Sequence, residues 1–411
     1  MTKILRDKIL NLILVLCICL GCVGCAHLVS SRELTPNENS LVESANSFGF
    51  KLFQEIAGEE GDKNIFLSPL SISMALEMLY NGAGGTTREA MQTTLGLSGL
   101  ATQEINESYQ SLIELWTGLD QKTKFEIANS IWLRQGYQIE PEFIDSSRTY
   151  FDAEIGEIDI RNLSAASEAI NAWVKRNTHG KIKRIGVLFG PDTMYVVVNA
   201  TYFEGTWTYR FEEKRTKDDW FILPDGSKKE CKMMHLRGKL QYLHNSNFQA
   251  VNLPYGNGYF SMTIFLPNSD KDIDSLIAEF NQENWSQWIN SFTETEGRMI
   301  LEFPKFTLEY EVKLNEALKA LGMEVAFDLE AADFSGIVKN PIPPLAIEEV
   351  KHKTFVEVNE KGTKAAAVTH AVNPPGPPLP VMRVDRPFVF VIQESHSQTI
   401  LFIGKIVNPA P

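Results

Sequence analysis

The chain has 411 residues, of which 44% are hydrophobic and 22% charged. That is ordinary globular usage, and it excludes a disordered or collagen-like chain. With 39 Lys+Arg against 52 Asp+Glu, the net charge of -13 suits a phosphate backbone poorly, so no nucleic-acid partner is expected.

The N-terminus reads as an export signal. Lys3, Arg6 and Lys8 are basic, and Ile9 to Leu20 is apolar except for Asn11. Those 12 residues are too few to span a bilayer comfortably but suit a signal segment. The run ends in Leu20-Gly21-Cys22-Val23-Gly24-Cys25-Ala26. Small residues before a cysteine resemble the lipobox of prokaryotic lipoproteins, where the cysteine after the cut carries the lipid. Cys25 fits best, preceded by Val23-Gly24, and Cys22 is the alternative; neither has Leu three residues before it. Residues 1–24 are read as a lipoprotein-type signal peptide and 25–40 as a polar tether, with the protein exported and held at the cell surface by the lipid. Plain secretion without a lipid is the other reading of the same residues. Cys231 is the one cysteine in the remaining body, and no Cys/His spacing resembles a zinc site. No metal and no cofactor is expected.

The next segments carry helical periodicity. Leu41 to Ala57 places Phe48, Leu52, Phe53 and Ile56 on one side. Ser68-Pro69 opens a helix over Leu70 to Tyr80, with Ser68 as N-cap, and Asn81-Gly82 stops it. Arg88 to Leu95 and Glu104 to Leu119 read as further helices, the latter without Lys or Arg. Strands follow. Phe125 to Leu133 begins with strict alternation, and the apolar run Met194 to Asn199 reads as a strand buried on both faces. Further strands are expected at 240–242, 250–253, 261–266, 299–303, 355–358, 388–392 and 401–406. Glu311 to Leu321 reads as an amphipathic helix closed by Gly322. Helices first and strands later suggest an α+β fold. No linker or repeat divides residues 41–411.

Catalytic signatures are missing. There is no Gly-x-Ser-x-Gly elbow, no His-Glu-x-x-His, no Walker loop and no Gly-x-Gly-x-x-Gly, so no enzyme activity is expected. One stretch does carry a mechanism. From Thr363 to Asn373 the even-spaced set is Thr363, Ala365, Ala367, Thr369, Ala371 and Asn373, all small and uncharged. Period two puts that set on one face of a strand able to slide over packed helices. Yet Gly362 precedes it, and the proline tract Asn373 to Pro380 follows it and cannot join a ladder. The segment has the pattern of a strand in the position of a loop, which suggests a switch; an edge strand leading into a Pro-rich turn is the plainer alternative.

At this segment the chain resembles the serpins, the serine-protease-inhibitor superfamily. The likeness rests on Asn64-Ile65-Phe66-Leu67-Ser68-Pro69-Leu70-Ser71-Ile72, on Asn199-Ala200-Thr201-Tyr202-Phe203-Glu204-Gly205-Thr206-Trp207 and on Phe303-Pro304-Lys305-Phe306. It continues in Glu357 to Ala367, in Arg386-Pro387-Phe388-Val389-Phe390 and in Phe402 to Pro409. The resemblance implies one domain, about eight or nine helices around three β-sheets with an exposed reactive-centre loop over roughly 360–386. It implies inhibition by a suicide mechanism: a protease attacks the loop, an acyl-enzyme forms, and the cut loop inserts as a central strand of the large sheet. It assigns a hinge of Glu360, Gly362, Thr363, Ala365, Ala366 and Ala367, in which Lys364 departs from the frequent acidic residue. It also assigns a polar shutter of Ser68, Ser71, Asn199 and His352, and a breach at Trp207 and Lys305, with Lys305 paired to Glu360. Loop length places the scissile bond at Gly376-Pro377, with Pro375-Gly376 as the alternative. No Arg or Lys stands between Lys364 and Arg383, so the expected partner is an elastase-like or post-proline protease and not a trypsin-like one. The helix over 104–119 lacks the basic face of heparin-activated members, and a monomer is expected. A serpin-fold protein that binds without inhibiting is the alternative, motivated by the proline at the bait bond.

Overall fold

The computed structural model describes residues 32–159, 161–186, 194–339, 341, 344–362 and 379–410. Every helix and strand among the described residues belongs to the compact unit Leu34–Pro411. The first helix, α1, spans Pro36–Glu60. It therefore begins inside the stretch read as tether. The cause is a capping box: the Glu38 amide donates to Thr35 Oγ1 at 3.3 Å, and the Thr35 amide donates to Glu38 Oε2 at 2.7 Å.

Chain order then runs β1 (Ile65–Leu67), α2 (Pro69–Tyr80), α3 (Gly85–Thr94), α4 (Thr102–Gly118), β2 (Thr123–Arg134), α5 (Pro141–Phe151), β3 (Ala153–Ile158), α6 (Leu163–Asn177) and β4 (Tyr195–Gly205). Next come β5 (Lys217–Ile222), β6 (Lys228–Gly238), β7 (Gln241–His244), β8 (Phe248–Tyr255), β9 (Phe260–Pro267), α7 (Ile273–Ala278) and α8 (Gln282–Ser291). The chain continues through β10 (Thr293–Glu294), β11 (Met299–Pro304), β12 (Phe306–Lys313) and α9 (Asn315–Leu318). It closes with β13 (Lys351–Val358), β14 (Val381–Arg383), β15 (Phe388–Glu394) and β16 (Ile400–Ile406). The architecture is α+β, as the order of elements suggested.

Two sheets are continuous. One runs β1-β16-β15-β9-β8-β7-β10, and β15 and β16 are buried along their whole length, which explains their unbroken apolar runs. The other runs β14-β11-β6-β5. The remaining strands form β3-β2-β4 and β12-β13, two separate ladders lying side by side. Strands β4 and β13 point the same way: their C-terminal ends meet at the bridge between Thr206 and Gly362. Among the described residues no ladder joins them below that bridge.

Helix α2 is the floor of this gap. All of its residues are buried, the polar Ser71, Ser73 and Glu77 among them. Three expectations change here. Ser68 has the extended backbone of an N-cap, but its hydroxyl donates to the Leu401 carbonyl at 2.7 Å and caps no amide. Strand β4 is only partly buried: Tyr195 and Val198, on opposite faces, are buried, while Val196, Val197 and Asn199 are half-buried. Glu311–Lys313 belong to β12, where Phe306, Leu308, Tyr310 and Val312 point inward with period two. The helix behind it covers only Asn315–Leu318 and widens over Lys319–Met323, where Gly322 takes φ 110°.

Candidate functional site

The gap between β4 and β13 is built as a slot. Strand β4 pairs with β2 on its far side, and β13 pairs with β12 on its own, so each presents a free edge inward. A cleft there is lined by Ser71, Ala75 and Leu79 of α2, by Tyr195 and Asn199 of β4, and by His352 of β13. A chain leaving β13 at Gly362 must reverse to enter it. It would then run antiparallel to both edges and complete a continuous sheet β3-β2-β4-loop-β13-β12.

The floor helix fastens each side of the slot separately. On the β13 side, the Ser68 amide donates to His352 Nε2 at 3.0 Å. Burial pushes the His352 imidazole down to about 3, so the ring is neutral and Nε2 is free to accept. On the β4 side, the Ser71 hydroxyl donates to Asn199 Oδ1. Asn199 Nδ2 donates on to Asn129 Oδ1 at 2.6 Å, and Asn129 Nδ2 donates to the Phe151 carbonyl at 2.8 Å. The four residues assigned to the shutter thus lie under one slot as two pairs, not as a single ring. Sequence reasoning missed Asn129. Its signal was present: it is the polar member of the otherwise apolar inward set Phe125, Ile127, Ile131 and Leu133. It also missed Glu77, on the same floor helix and 1% exposed. The Ser73 and Tyr109 hydroxyls donate to its Oε1 at 2.9 and 2.7 Å, and its Oε2 has no partner among the described residues. Burial raises the Glu77 carboxyl to about 8, so it is a neutral acid at pH 7.

The mouth of the slot is where the loop begins. Trp207, 3% exposed, stacks on Tyr255 with ring centroids 4.3 Å apart. Its indole donates to the Asn359 carbonyl at 2.9 Å and its amide to the Lys361 carbonyl at 3.2 Å. Glu360 is gripped by Thr216 Oγ1 at 2.9 Å and by Lys305 Nζ at 3.1 Å, and the Phe211 amide donates to its carbonyl. Burial alone would raise the Glu360 carboxyl; the amide, hydroxyl and ammonium contacts outweigh it and hold the group below its ordinary value. Gly362 has φ 85°, and a Cβ there would lie 2.4 Å from the Trp207 nitrogen and 2.5 Å from the Gly205 oxygen. Only glycine fits. No local signal in the sequence pointed to Tyr255, Thr216 or Phe211, because each reaches the mouth through tertiary packing. Thr363, Ala365, Ala366, Ala367, Pro375, Gly376 and Pro377 lie outside the described residues, as do Cys22 and Cys25.

Comparisons with known proteins agree with this geometry. The family model described as serpin (serine protease inhibitor) matches residues 43–409. Iripin-8 of Ixodes ricinus is 35% identical, with 92% of this chain and 96% of that protein covered. An uncharacterized serpin-like protein of Thermococcus kodakarensis is 33% identical over 90% of this chain and 86% of that one. Among solved structures, the thermophilic serpin tengpin in its native state superposes with a TM-score of 0.83 at 29% identity, covering 92% of this chain and 96% of that chain. A thyroxine-binding globulin in complex with thyroxine gives 0.82 at 28%, covering 90% and 99%. A split sheet with glycine at its mouth, and a family match over nearly the whole compact unit, lead to one conclusion: the chain belongs to the serpin family of serine protease inhibitors.

Proposed function

We propose that the chain traps a serine or cysteine protease as a suicide substrate. The observation that carries this reading is the slot itself: two parallel edges left unpaired, with the root of a small-residue segment at their mouth. The protease nucleophile adds to the carbonyl of Gly376, or of Pro375. The peptide bond breaks, the amine leaves on the downstream residue, and the upstream segment stays esterified to the protease. Insertion then competes with attack by water. Thr363, Ala365, Ala367, Thr369 and Ala371 face the floor helix as the strand advances, and the protease is carried along. A displacement of about 1 Å in its catalytic groups costs roughly 100-fold in rate. The prolines from Pro374 onward end the insertable segment, and the lack of Arg or Lys near Gly376 favours an elastase-like or post-proline target acting on a monomer.

Incubation with a panel of such proteases is expected to yield an SDS-resistant complex of inhibitor and enzyme. Thr363→Arg places a charge against the floor helix and converts the inhibitor into a substrate that is cut and released. No complex with any protease, or full inhibition by the Arg variant, contradicts the reading. A binding or surface-interaction role without inhibition, the alternative reading, predicts cleavage without a complex in every case. Export with a lipid on Cys25, or on Cys22, completes the proposal, and mass spectrometry of the mature N-terminus tests it.

A further inference from the structure

Away from the mouth, the cleft over the floor helix lies between the start of β4 at Tyr195 and the start of β13 at Lys351. It holds about 450 Å³ of space, partly open to solvent, which is the size of a site for a small organic molecule. Ala75, Leu76 and Leu79 of α2, Leu314 before α9 and Ile347 before β13 give it apolar walls.

The polar side chains around this cleft are engaged, with one exception. Ser71 donates to Asn199, Asn199 donates to Asn129, and His352 accepts from the Ser68 amide. Lys351 pairs with Glu311 at 3.2 Å, and Glu349 with Lys313 at 4.0 Å. The exception is Tyr195. It shares the inward face of β4 with Val197 and Asn199 and is 6% exposed, and its hydroxyl has no partner among the described residues. Its ring is held edge-on against Phe334, with centroids 6.3 Å apart. Burial, and then the nearby Glu348 carboxylate, push the hydroxyl well above its ordinary pKa, so it keeps its proton and offers a donor. A buried donor without an acceptor costs the fold free energy, and a ligand that brings the acceptor recovers it.

We propose that this cleft binds a small uncharged molecule with an apolar body and one hydrogen-bond acceptor, such as a ketone or an ester, and that the Tyr195 hydroxyl donates to that acceptor. The apolar walls take the body. Glu348 and Glu349 oppose an anion, and the same walls leave the charge of a cation unsolvated. The inference goes beyond the trap reading: it concerns the uncut protein and stands whether or not the loop enters the gap. The uncut full chain is titrated with methyl pentyl ketone, heptanoate and heptylamine, and binding is followed by calorimetry and by the melting midpoint. The ketone should bind at least roughly tenfold more tightly than either ion and should raise the midpoint. Tyr195→Phe removes an oxygen that has no partner, so the ligand-free midpoint should stay unchanged or rise, while the ketone should bind roughly five- to tenfold more weakly. A lower ligand-free midpoint in Tyr195→Phe would show that the hydroxyl is already satisfied in the fold. Equal ketone affinity in the two proteins would place the acceptor elsewhere, and heptanoate bound as tightly as the ketone would contradict the class of ligand. Failure of wild type to bind the ketone would mean that the cleft holds water only. Each of these four results overturns the proposal and leaves the tests of the trap untouched.

Discussion

His352 and Glu77 sit on opposite sides of neutrality for the same reason, burial, and their contributions to stability have opposite signs. The His352 ring falls from 6.5 to about 3. Between those values the unfolded chain binds the proton and the folded one does not, so stability is full above 6.5 and is lost as pH falls toward 3. The Glu77 carboxyl rises from 4.5 to about 8. Between those values the folded chain keeps the proton that the unfolded chain releases, so stability falls as pH rises from 4.5 to 8. The two slopes cancel from 4.5 to 6.5 and leave Glu77 alone from 6.5 to 8. Each unshared proton is worth about 1.4 kcal/mol per pH unit. Denaturant titrations across that upper window should show wild type losing stability at up to this slope and Glu77→Gln losing almost none. Equal slopes in both proteins would mean that Glu77 is already ionised in the fold.

At the scale of elements, the decisive joint is the one between β4 and β13. It consists of the Thr206–Gly362 bridge, the Trp207 contacts and the grip on Glu360. Gly362→Ala introduces a Cβ into backbone atoms at a positive φ, so it should destabilise the protein by about 1–3 kcal/mol and open the mouth. Equilibrium unfolding measures the loss, and an unchanged midpoint would show that the mouth is not closed in the way described. Much of this joint was legible in the chain. Gly362, Trp207, Lys305 and Glu360 each stood in a motif, and the floor helix was marked by Ser68-Pro69 at one end and Asn81-Gly82 at the other. What was illegible has physical causes. Glu311–Lys313 alternate as a strand but adjoin a short helix, and their apolar positions blend into one helical pattern with Leu314 and Leu318. The polar contacts of the shutter, such as Asn199 with Asn129, join residues far apart in sequence, and no local pattern encodes them. The half-burial of Val197 and Asn199 goes with the cleft they line, which a run of Val residues does not reveal.

The unit Leu34–Pro411 leaves two neighbouring ladders, β3-β2-β4 and β12-β13, unjoined below the bridge between Thr206 and Gly362 among the described residues. Two edges lie side by side without a ladder, a floor helix holds each of them separately, and the segment proposed to fit between them follows β13 and precedes β14. Filling the gap adds backbone bonds along two edges, each worth roughly 1 kcal/mol net, and removes apolar side chains from water. On the proposed trap mechanism the native arrangement persists because the loop is uncut, and not because it is the lowest in free energy. The most direct measurement is calorimetry of the intact protein beside the same protein nicked once in the loop. The nicked form should melt higher by about 10 °C or more. Equal or lower melting after the cut would mean that the slot stays empty, and the description of the molecule as a loaded trap would be wrong.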